Sequence, residues 1–329
     1  MSTGKKHVYC LVRLVLLTAL FLTGCGQLEI EKRAFPLALA ITPAEAEGMY
    51  EFSFFFEEME SSGGSLYHKE DTVVTAGGYP QAFTLFGRAQ AAQLDDSHMQ
   101  VILLSEALLR DADFLESFYQ YFVKEHHFSW NTMVYLMDEQ SITPEKLKKS
   151  TADRPGTYLR DMAQSDEQEK TASVPTLGDL YKEWNNREKI LLLPVLSKGA
   201  PPSVSHYRLL IQGEPGDTLS MDAARLLQLL RGDLKKMQLE LSDGTIVCME
   251  HIRLRRTYAS EAAVWQVAIC ADFKAENRIQ QSASERRQLV RTSERLLEKQ
   301  SETVRQWAPV TVADGQLVLT EYAFHLSLR

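Results

Sequence analysis

Residues 98–106 read His-Met-Gln-Val-Ile-Leu-Leu-Ser-Glu, and the run from Val101 to Leu104 is apolar without interruption. A short apolar run that is bounded by polar residues is typical of a strand buried on both faces. The pattern therefore predicts a buried strand over Met99–Leu104.

Helical patterns flank this strand on both sides. The first runs from Pro80 to about Leu94 and carries Phe83 and Phe86 at helical spacing. The second is opened by Asp113, with Glu116 three residues later, a spacing that is typical of a capping pair. Further strand patterns occupy residues 34–42, 49–58, 72–75 and 132–137. Because strands and helices alternate, we predict a mixed α/β layer structure for the first half of the chain.

The sequence changes in character after the last of these strands. Thr143-Pro144 is typical of a helix start, with Thr as the N-cap and Pro at the first helical position. Residues 164–173 are polar and charged, as in a linker, and Thr176 with Asp179 forms another capping pair beyond them. We predict an N-terminal mixed α/β domain at residues 25–163, a linker at 164–175 and a C-terminal α+β domain at 176–329, with a further division near residue 200 left open.

The second half of the chain again mixes helices and strands. Ser220 is placed to cap a helix that Gly232 ends. Thr245–Arg255 and Ala263–Phe273 predict an antiparallel hairpin, and Lys274–Trp307 predicts a long polar helix. Residues 316–328 predict a final strand that pairs within this domain's sheet. The predicted fold class is α+β, with two or more mixed sheet and helix domains, antiparallel-rich sheets and a long helix near the C-terminus.

The N-terminal residues 1–24 have the features of an export signal. Lys5 and Lys6 precede an apolar stretch, Leu11–Leu22, which is too short to span a bilayer of about 20 apolar residues. The stretch ends in Leu22-Thr23-Gly24-Cys25, which resembles the lipobox of bacterial lipoproteins. The resemblance implies that Cys25 receives a diacylglycerol and becomes the first residue of the mature chain. A plain signal peptide with an accidental cysteine is the alternative.

Composition and charge exclude several classes of protein. The 329 residues carry a net charge of −8, which argues against a nucleic-acid-binding protein, and 4 Cys are too few for a disulfide scaffold. Removal of residues 1–24 takes away Lys5, Lys6 and Arg13 and no acidic residue, so the mature chain carries −11. Because an acidic body is not drawn to an anionic bilayer, the acyl chains of the lipid must provide the attachment.

Three local patterns could carry chemistry, and each has a stronger structural interpretation. Glu125-His126-His127 could bind a metal, but adjacent histidines point to different faces, and a helix C-terminus favours His for electrostatic reasons. Asp95-Asp96 could be a pair of catalytic carboxylates, but Asp is common in turns. Phe114, Phe118 and Phe122 could line a ligand pocket, but aromatic residues at helical spacing usually form a core. We predict no catalytic residue, metal site or cofactor.

Cys248 and Cys270 could form a disulfide in an exported protein. Alternation of apolar residues along the two hairpin strands places these cysteines on opposite sides of the predicted hairpin. We therefore predict that they are unbridged. A one-residue bulge in either strand would undo this argument.

Several segments, in this order along the chain, resemble the Ger(x)C family, the C-subunit lipoproteins of spore germinant receptors. The segments are Glu29–Glu31 and Ala34-Phe35 after Cys25, His98–Glu106, Tyr158-Leu159, TLGDLYKEW at residues 176–184, Leu193–Leu196, Leu219–Gly232 and ERLLEKQ at residues 294–300. Two features depart from the family pattern. Gly26-Gln27 stands where the family usually has Trp-Asp, and the segment between Trp307 and Gln316 is shorter than in the family.

The resemblance implies a function in assembly and binding, with no catalytic residue to carry over. It implies an anchor at Cys25 on the extracytoplasmic face of the spore inner membrane. It also implies two partners, the integral membrane A- and B-type receptor subunits, and a requirement for the complex in nutrient-triggered germination. A stand-alone extracytoplasmic ligand-binding lipoprotein is one alternative, and it would require a concave apolar pocket with convergent polar groups. An extracellular enzyme is the other, and it would require clustered titratable residues with perturbed pKa values.

Overall fold

A computed structural model describes most of the chain from residue 33 onward. The described residues are 33–57, 71–124, 128–169, 174–185, 190–199, 201–211, 214–231, 234, 236–259, 264–275, 283–304 and 321–328.

An eight-stranded mixed sheet forms the centre of the first two thirds of the protein. The described residues of this region form ten strands, eight of them in the large sheet: β1 (Arg33–Ala34), β2 (Ala38–Pro43), β3 (Tyr50–Phe55), β4 (Thr72–Ala76), β5 (Gln93–Leu94), β6 (Val101–Ser105), β7 (Met133–Met137), β8 (Ile190–Ser197), β9 (Ser203–Ile211) and β10 (Glu214–Ser220). The order in the large sheet is β10-β9-β8-β7-β6-β2-β3-β4, and β1 pairs separately with β5. The four central strands β2, β6, β7 and β8 are parallel, and the strands outside them pair in antiparallel fashion.

Helices cover both faces of this sheet, which explains the uninterrupted apolar run in β6. The helices are α1 (Tyr79–Gln90), α2 (Ala112–Phe118, continued by a π-helical turn at Tyr119–Lys124), α3 (Pro144–Ser150), α4 (Pro155–Glu169) and α5 (Leu177–Asn185). Ile102 and Leu104 pack in a cluster with residues of α1, α2 and α5, whereas Val101 and Leu103 pack in a cluster with residues of α3 and α4. The predicted buried strand is therefore confirmed, within two residues of its predicted start.

The last third of the described chain contributes a second, four-stranded sheet and two helices. Its elements are α6 (Met221–Arg231), β11 (Met237–Glu240), β12 (Ile246–Ala259), β13 (Val264–Ala275), α7 (Ala283–Val304) and β14 (Glu321–Leu328). The order is β11-β12-β13-β14, with β13 and β14 parallel. The predicted hairpin and the pairing of the last strand are confirmed. The described part of the long helix is Ala283–Val304, and Lys274, its predicted first residue, lies instead in β13.

The large sheet extends past the predicted domain boundary. Strands β8, β9 and β10 follow residues 164–175 in the chain, yet they continue the sheet that β2–β7 begin. Leu192 of β8 and Leu209 of β9 also pack in the same apolar cluster as α6, β11–β13 and α7. Helix α4 reaches Glu169, and residues 170–173 lie outside the described residues. The domain boundary at residues 164–175 stays a prediction, and the large sheet contains strands from both sides of it.

Hydrogen bonds of the capping residues confirm two of the helix starts that the sequence predicts. The amide of Lys146 donates to Oγ1 of Thr143 at 3.4 Å, which confirms the start of α3. The amide of Thr176 donates to the Asp179 carboxylate at 3.0 Å, and the amide of Asp179 donates back to the Thr176 hydroxyl at 3.2 Å, so this capping pair is also confirmed.

The capping pair that was predicted at Asp113 is wrong. Asp111 is the N-cap of α2, and its carboxylate accepts a hydrogen bond from the amide of Phe114 at 2.9 Å. Asp113 lies inside the first turn, where a carboxylate still interacts favourably with the helix dipole but does not cap the helix.

Cys248 and Cys270 are unbridged, as predicted, but the predicted reason is wrong. The pairing of β12 with β13 shifts between Glu250 and Arg253, at a bulge that includes His251 with a φ of 53°. Cys248 lies opposite Lys274, four residues along β13 from Cys270 on the same face. Four residues of strand span roughly 13 Å, whereas a disulfide needs Cα atoms about 4.4–6.8 Å apart. Distance along the sheet therefore keeps the two thiols apart.

We expect two titratable thiols in a form of the protein that begins at residue 26. The register separates Cys248 from Cys270 by more than a disulfide can bridge, so oxidation during export should not join them. Thiol titration of the denatured chain, purified without reductant, checks this expectation. A count of zero together with an intact monomer mass would contradict the register.

Candidate functional site

A polar cleft lies where the central parallel strands β6 and β7 end. Its volume is about 360 Å³. The lining residues come from the segment after β6, the turn after β7, and strands β9 and β10; those that carry charge are Glu106, Arg110, Asp138, Glu139 and Arg208. The carboxyl end of parallel strands is the usual location of ligand sites in open α/β sheets. The cleft is therefore the first candidate for a site.

Two of its charged residues, Arg208 and Glu106, form an ion pair with each other. Nε of Arg208 donates to Oε1 of Glu106 at 2.8 Å, and its Nη2 contacts the same oxygen. Nη1 of Arg208 also donates to the carbonyl oxygen of Gly216 at 3.4 Å. These contacts join β9 and the irregular strand β10 to the segment that follows β6. They hold the antiparallel edge of the large sheet against its centre.

The other three charged residues of the cleft are more available for contact with a ligand. Oε1 of Glu139 is buried and accepts no hydrogen bond from the described residues. Asp138 accepts from the amide of Gln140 at 3.1 Å, as a turn residue does. Arg110 is exposed. A group that carries an ammonium or guanidinium would satisfy the buried oxygen of Glu139. No sequence pattern indicates this cleft, because its residues come from segments about a hundred positions apart.

An apolar groove of about 390 Å³ lies between strands β3 and β4 and helix α3. Phe54, Phe55 and Val73 contribute to its lining, and Val73 is 55% exposed. Nζ of Lys148 lies 2.6 Å from Oδ2 of Asp71 at this groove. The groove has apolar walls, and the Lys148–Asp71 ion pair engages two of its charged groups with each other.

The phenylalanines that could have lined a pocket form a core. Phe114, Phe118 and Phe122 are at most 4% exposed. The ring centroids of Phe118 and Phe122 are 4.8 Å apart, and Phe122 also stacks on Phe128 at 4.7 Å. The interpretation of this stripe as core is confirmed.

Asp95 and Asp96 lie in a turn, as the structural interpretation predicts. Asp95 caps a short 3₁₀ turn at residues 96–98, and its carboxylate accepts from the amide and the hydroxyl of Ser97 at 3.2 and 2.5 Å. Burial alone would raise the pKa of Asp95, but these hydrogen bonds and the Arg33 guanidinium at 3.2 Å lower its pKa below the usual value. Asp96 accepts from the hydroxyl of Tyr79 at 3.3 Å, and burial of Tyr79 followed by the nearby Asp96 charge raises the tyrosine pKa. Each carboxylate therefore has its own structural partner.

Other residues that the sequence singled out lie outside the described residues. These are Cys25 and Glu125-His126-His127. Within the described ranges, no group of three or more His, Cys, Asp or Glu side chains is arranged to hold a metal ion. None of the described helices combines the length and the apolar character that crossing a bilayer requires.

Comparison with known proteins finds one matching family. The family model described as the spore germination protein N-terminal domain matches residues 26–198, more than half of the chain. Among solved structures, the chain is similar to the crystal structure of the GerBC protein at 11% sequence identity, with a TM-score of 0.49. That similarity covers 88% of this chain and 96% of the other. No curated protein matches the chain.

Proposed function

The chain belongs to the Ger(x)C family of spore germination proteins, and from this membership we propose that it is the lipid-anchored subunit of a spore germinant receptor. In this role it is needed for nutrient-triggered germination. The observation that carries the proposal is the family match over residues 26–198, which begins one residue after the proposed lipid attachment site.

Lipid attachment at Cys25 holds the protein on the extracytoplasmic face of the spore inner membrane. The lipobox-like Leu22-Thr23-Gly24-Cys25 supports this attachment. The mature charge of −11 gives the body no general attraction to anionic headgroups, so the acyl chains are the main source of membrane affinity. Two chains of a diacylglycerol meet the requirement for stable anchoring, which a single chain does not.

The protein acts by assembly and binding and not by catalysis. Its partners are the integral membrane A- and B-type subunits of the receptor. The contacts of the charged residues support this role. Arg208 and Glu106 form an ion pair with each other. Asp95 accepts hydrogen bonds from Ser97 and Arg33. Side chains that are committed to such contacts hold the fold together and are poor general acids or bases.

We expect the protein to co-purify with two integral membrane subunits when a tagged form is extracted from spore membranes in mild detergent. The physical reason is that a lipid-anchored subunit has its partners in the same bilayer, at high local concentration. Mass spectrometry of the eluate provides the measurement, and an unrelated tagged lipoprotein from the same membrane provides the control. Elution of this chain alone, with the membrane subunits left in the unbound fraction, would contradict the assembly.

The ligand-binding alternative has one observation in its favour, the buried oxygen of Glu139 that lacks a partner among the described residues. A protein of this kind would bind a small cationic molecule in the polar cleft without any partner subunit. Native mass spectrometry of the isolated protein with extracts of germination medium would detect the added mass. Glu139→Gln should abolish that adduct if the cleft is the site.

A further inference from the structure

One edge of the large sheet, the end at which its central strands begin and not an outer strand, contains the start of the described chain. It consists of residues 33–37, 95–100, 129–132 and 176–178, and we call it the amino-terminal edge because the parallel strands β2, β6 and β7 begin there. The amide of Gln100 donates to the carbonyl of Leu37 at 2.9 Å, and the amide of Met133 donates to the carbonyl of Gln100 at 2.9 Å. The segments therefore form one connected surface across the strands.

The length of chain before this edge limits its distance from a lipid on Cys25. Arg33 follows Cys25 by eight residues, and a fully extended chain spans at most about 3.5 Å per residue, or roughly 28 Å in all. A compact body of about 300 residues has a radius of gyration near 19 Å, so it is roughly 50 Å across. The tether is shorter than the body, so the edge at Arg33 stays near the bilayer.

An exposed indole lies on the same edge. Trp130 is 42% exposed, one of two large apolar side chains with high exposure in the described part of the chain. Its ring packs edge-on against Tyr181 with centroids 4.9 Å apart, and its carbonyl accepts from the amide of Gly178 at 3.0 Å. A Cβ added at Gly178 would lie 3.1 Å from the indole ring. The indole is thus held from one side and exposed on the other, and indoles are favoured at the boundary between lipid and water.

The opposite edge has the wrong charge for an anionic bilayer. The turn between β2 and β3 carries the exposed Glu45 and Glu47, and the turn after β7 carries Asp138 and Glu139. Arg110 and the exposed Lys198, which follows β8, are cations of this edge outside the Arg208 ion pair, and the four carboxylates outnumber them. An acidic surface is repelled by anionic headgroups.

Charges on the amino-terminal edge are closer to balance. Arg33 pairs with Asp95 at 3.2 Å, and Lys182, in helix α5 beside this edge, pairs with Asp179 at 3.6 Å. Asp96 and His98 are the other titratable residues of the segments that form the edge. An edge that is nearly neutral can approach the headgroups at a lower electrostatic cost than the acidic edge.

We propose that the amino-terminal edge lies against the bilayer, with the indole of Trp130 at the level of the lipid headgroups. The acidic edge and its polar cleft then point away from the membrane. The inference rests on the proposed lipid attachment at Cys25, which sets the tether length. It adds a second, non-covalent contact with lipid and fixes which surfaces of the body remain open to other proteins.

Quenching of tryptophan fluorescence by lipids tests this orientation. The lipidated full chain is reconstituted in phosphatidylethanolamine and phosphatidylglycerol vesicles that contain a lipid with a spin label near the headgroup. The chain has 4 Trp, so the comparison uses a background that carries Trp184→Phe, Trp265→Phe and Trp307→Phe. In this background we expect clear quenching of the remaining indole, Trp130. The matched control combines Trp130→Phe with Ala107→Trp, which moves an indole to an exposed position beside the polar cleft. This variant should stay unquenched.

The outcomes separate the orientation from the lipid attachment. An unquenched Trp130, or equal quenching of the indole introduced at position 107, overturns the orientation. Flotation of the protein with vesicles reports separately on the acyl anchor. If the native protein does not float, a six-histidine tag directly before residue 25, bound to nickel-chelating lipid in the same vesicles, supplies a tether at the same point of the chain. The same comparison of variants then decides the orientation.

Discussion

Cys25→Ala is expected to release the protein from the membrane fraction into the soluble extracytoplasmic fraction and to lower nutrient-triggered germination sharply. The acyl chains contribute about 0.8 kcal/mol for each buried CH₂ group, and the alanine variant cannot carry them. The mature charge of −11 offers no compensating attraction to anionic lipids. Quantitative immunoblots of the membrane and soluble fractions, together with germination assays on spores of the variant strain, provide the measurement.

Cys10→Ala is the matched control for this experiment, because it removes a cysteine from residues 1–24, which are cleaved with the export signal in the proposed lipoprotein. We expect attachment and germination to match the wild type in that variant. If Cys25→Ala protein stays in the membrane fraction, the partner subunits suffice to hold it and the lipid is redundant. If the protein is released but germination is unchanged, the receptor assignment itself is contradicted.

Elements whose signal is local could be predicted from the sequence. The Thr143-Pro144 helix start and the reciprocal pair of Thr176 and Asp179 depend on residues within one turn, and the structure confirms both. The buried strand over Val101–Ser105 depends only on a continuous apolar run. The capping pair at Asp113 was wrong because Asp111, two residues earlier, has the same side chain and the geometry that a cap requires. Local patterns therefore locate an element better than they locate its first residue.

Contacts between distant segments could not be predicted. The amide of Thr157 donates to Oε1 of Glu57 at 2.8 Å, across 100 positions of sequence, and tethers the start of α4 to the end of β3. Strands β8–β10 join the sheet of β2–β7, although a polar segment separates them in the chain. The bulge at His251 reversed the predicted relation of Cys248 and Cys270. No periodicity within a strand indicates any of these, because each depends on which strand becomes its neighbour.

The candidate functional surfaces divide in the same way, into those that a contiguous motif indicates and those that only the fold brings together. The lipobox-like Leu22-Thr23-Gly24-Cys25 is a contiguous pattern that the sequence alone can indicate, and lipid attachment there stays a prediction. The polar cleft instead combines Glu106, Glu139 and Arg208 from three separate segments. Trp130 carried no signal in the sequence either. Its exposure becomes informative only after the strand order places it on the same edge as Arg33.

Phe122→Ala is expected to lower the free energy of unfolding by about 3–5 kcal/mol, the usual cost of removing a buried phenylalanine ring. Phe122 is 4% exposed, and its ring centroid lies 4.7 Å from those of Tyr79 and Phe128. The cavity left behind would remove the contacts that hold the π-helical turn at Tyr119–Lys124 to helix α1. Urea denaturation of the soluble Cys25→Ala form measures the change, as a lower midpoint with an unchanged slope.

Val73→Ala in the same background is the control, because Val73 is 55% exposed and its truncation should change the free energy of unfolding by no more than about 0.5 kcal/mol. The comparison separates a core function of the phenylalanine stripe from a ligand-binding one. A stripe that lined an open pocket would tolerate Phe122→Ala with little loss of stability. Equal effects of the two substitutions would therefore contradict the packing of Phe122, and a loss confined to Phe122→Ala means that this stripe stabilises the fold as part of its core.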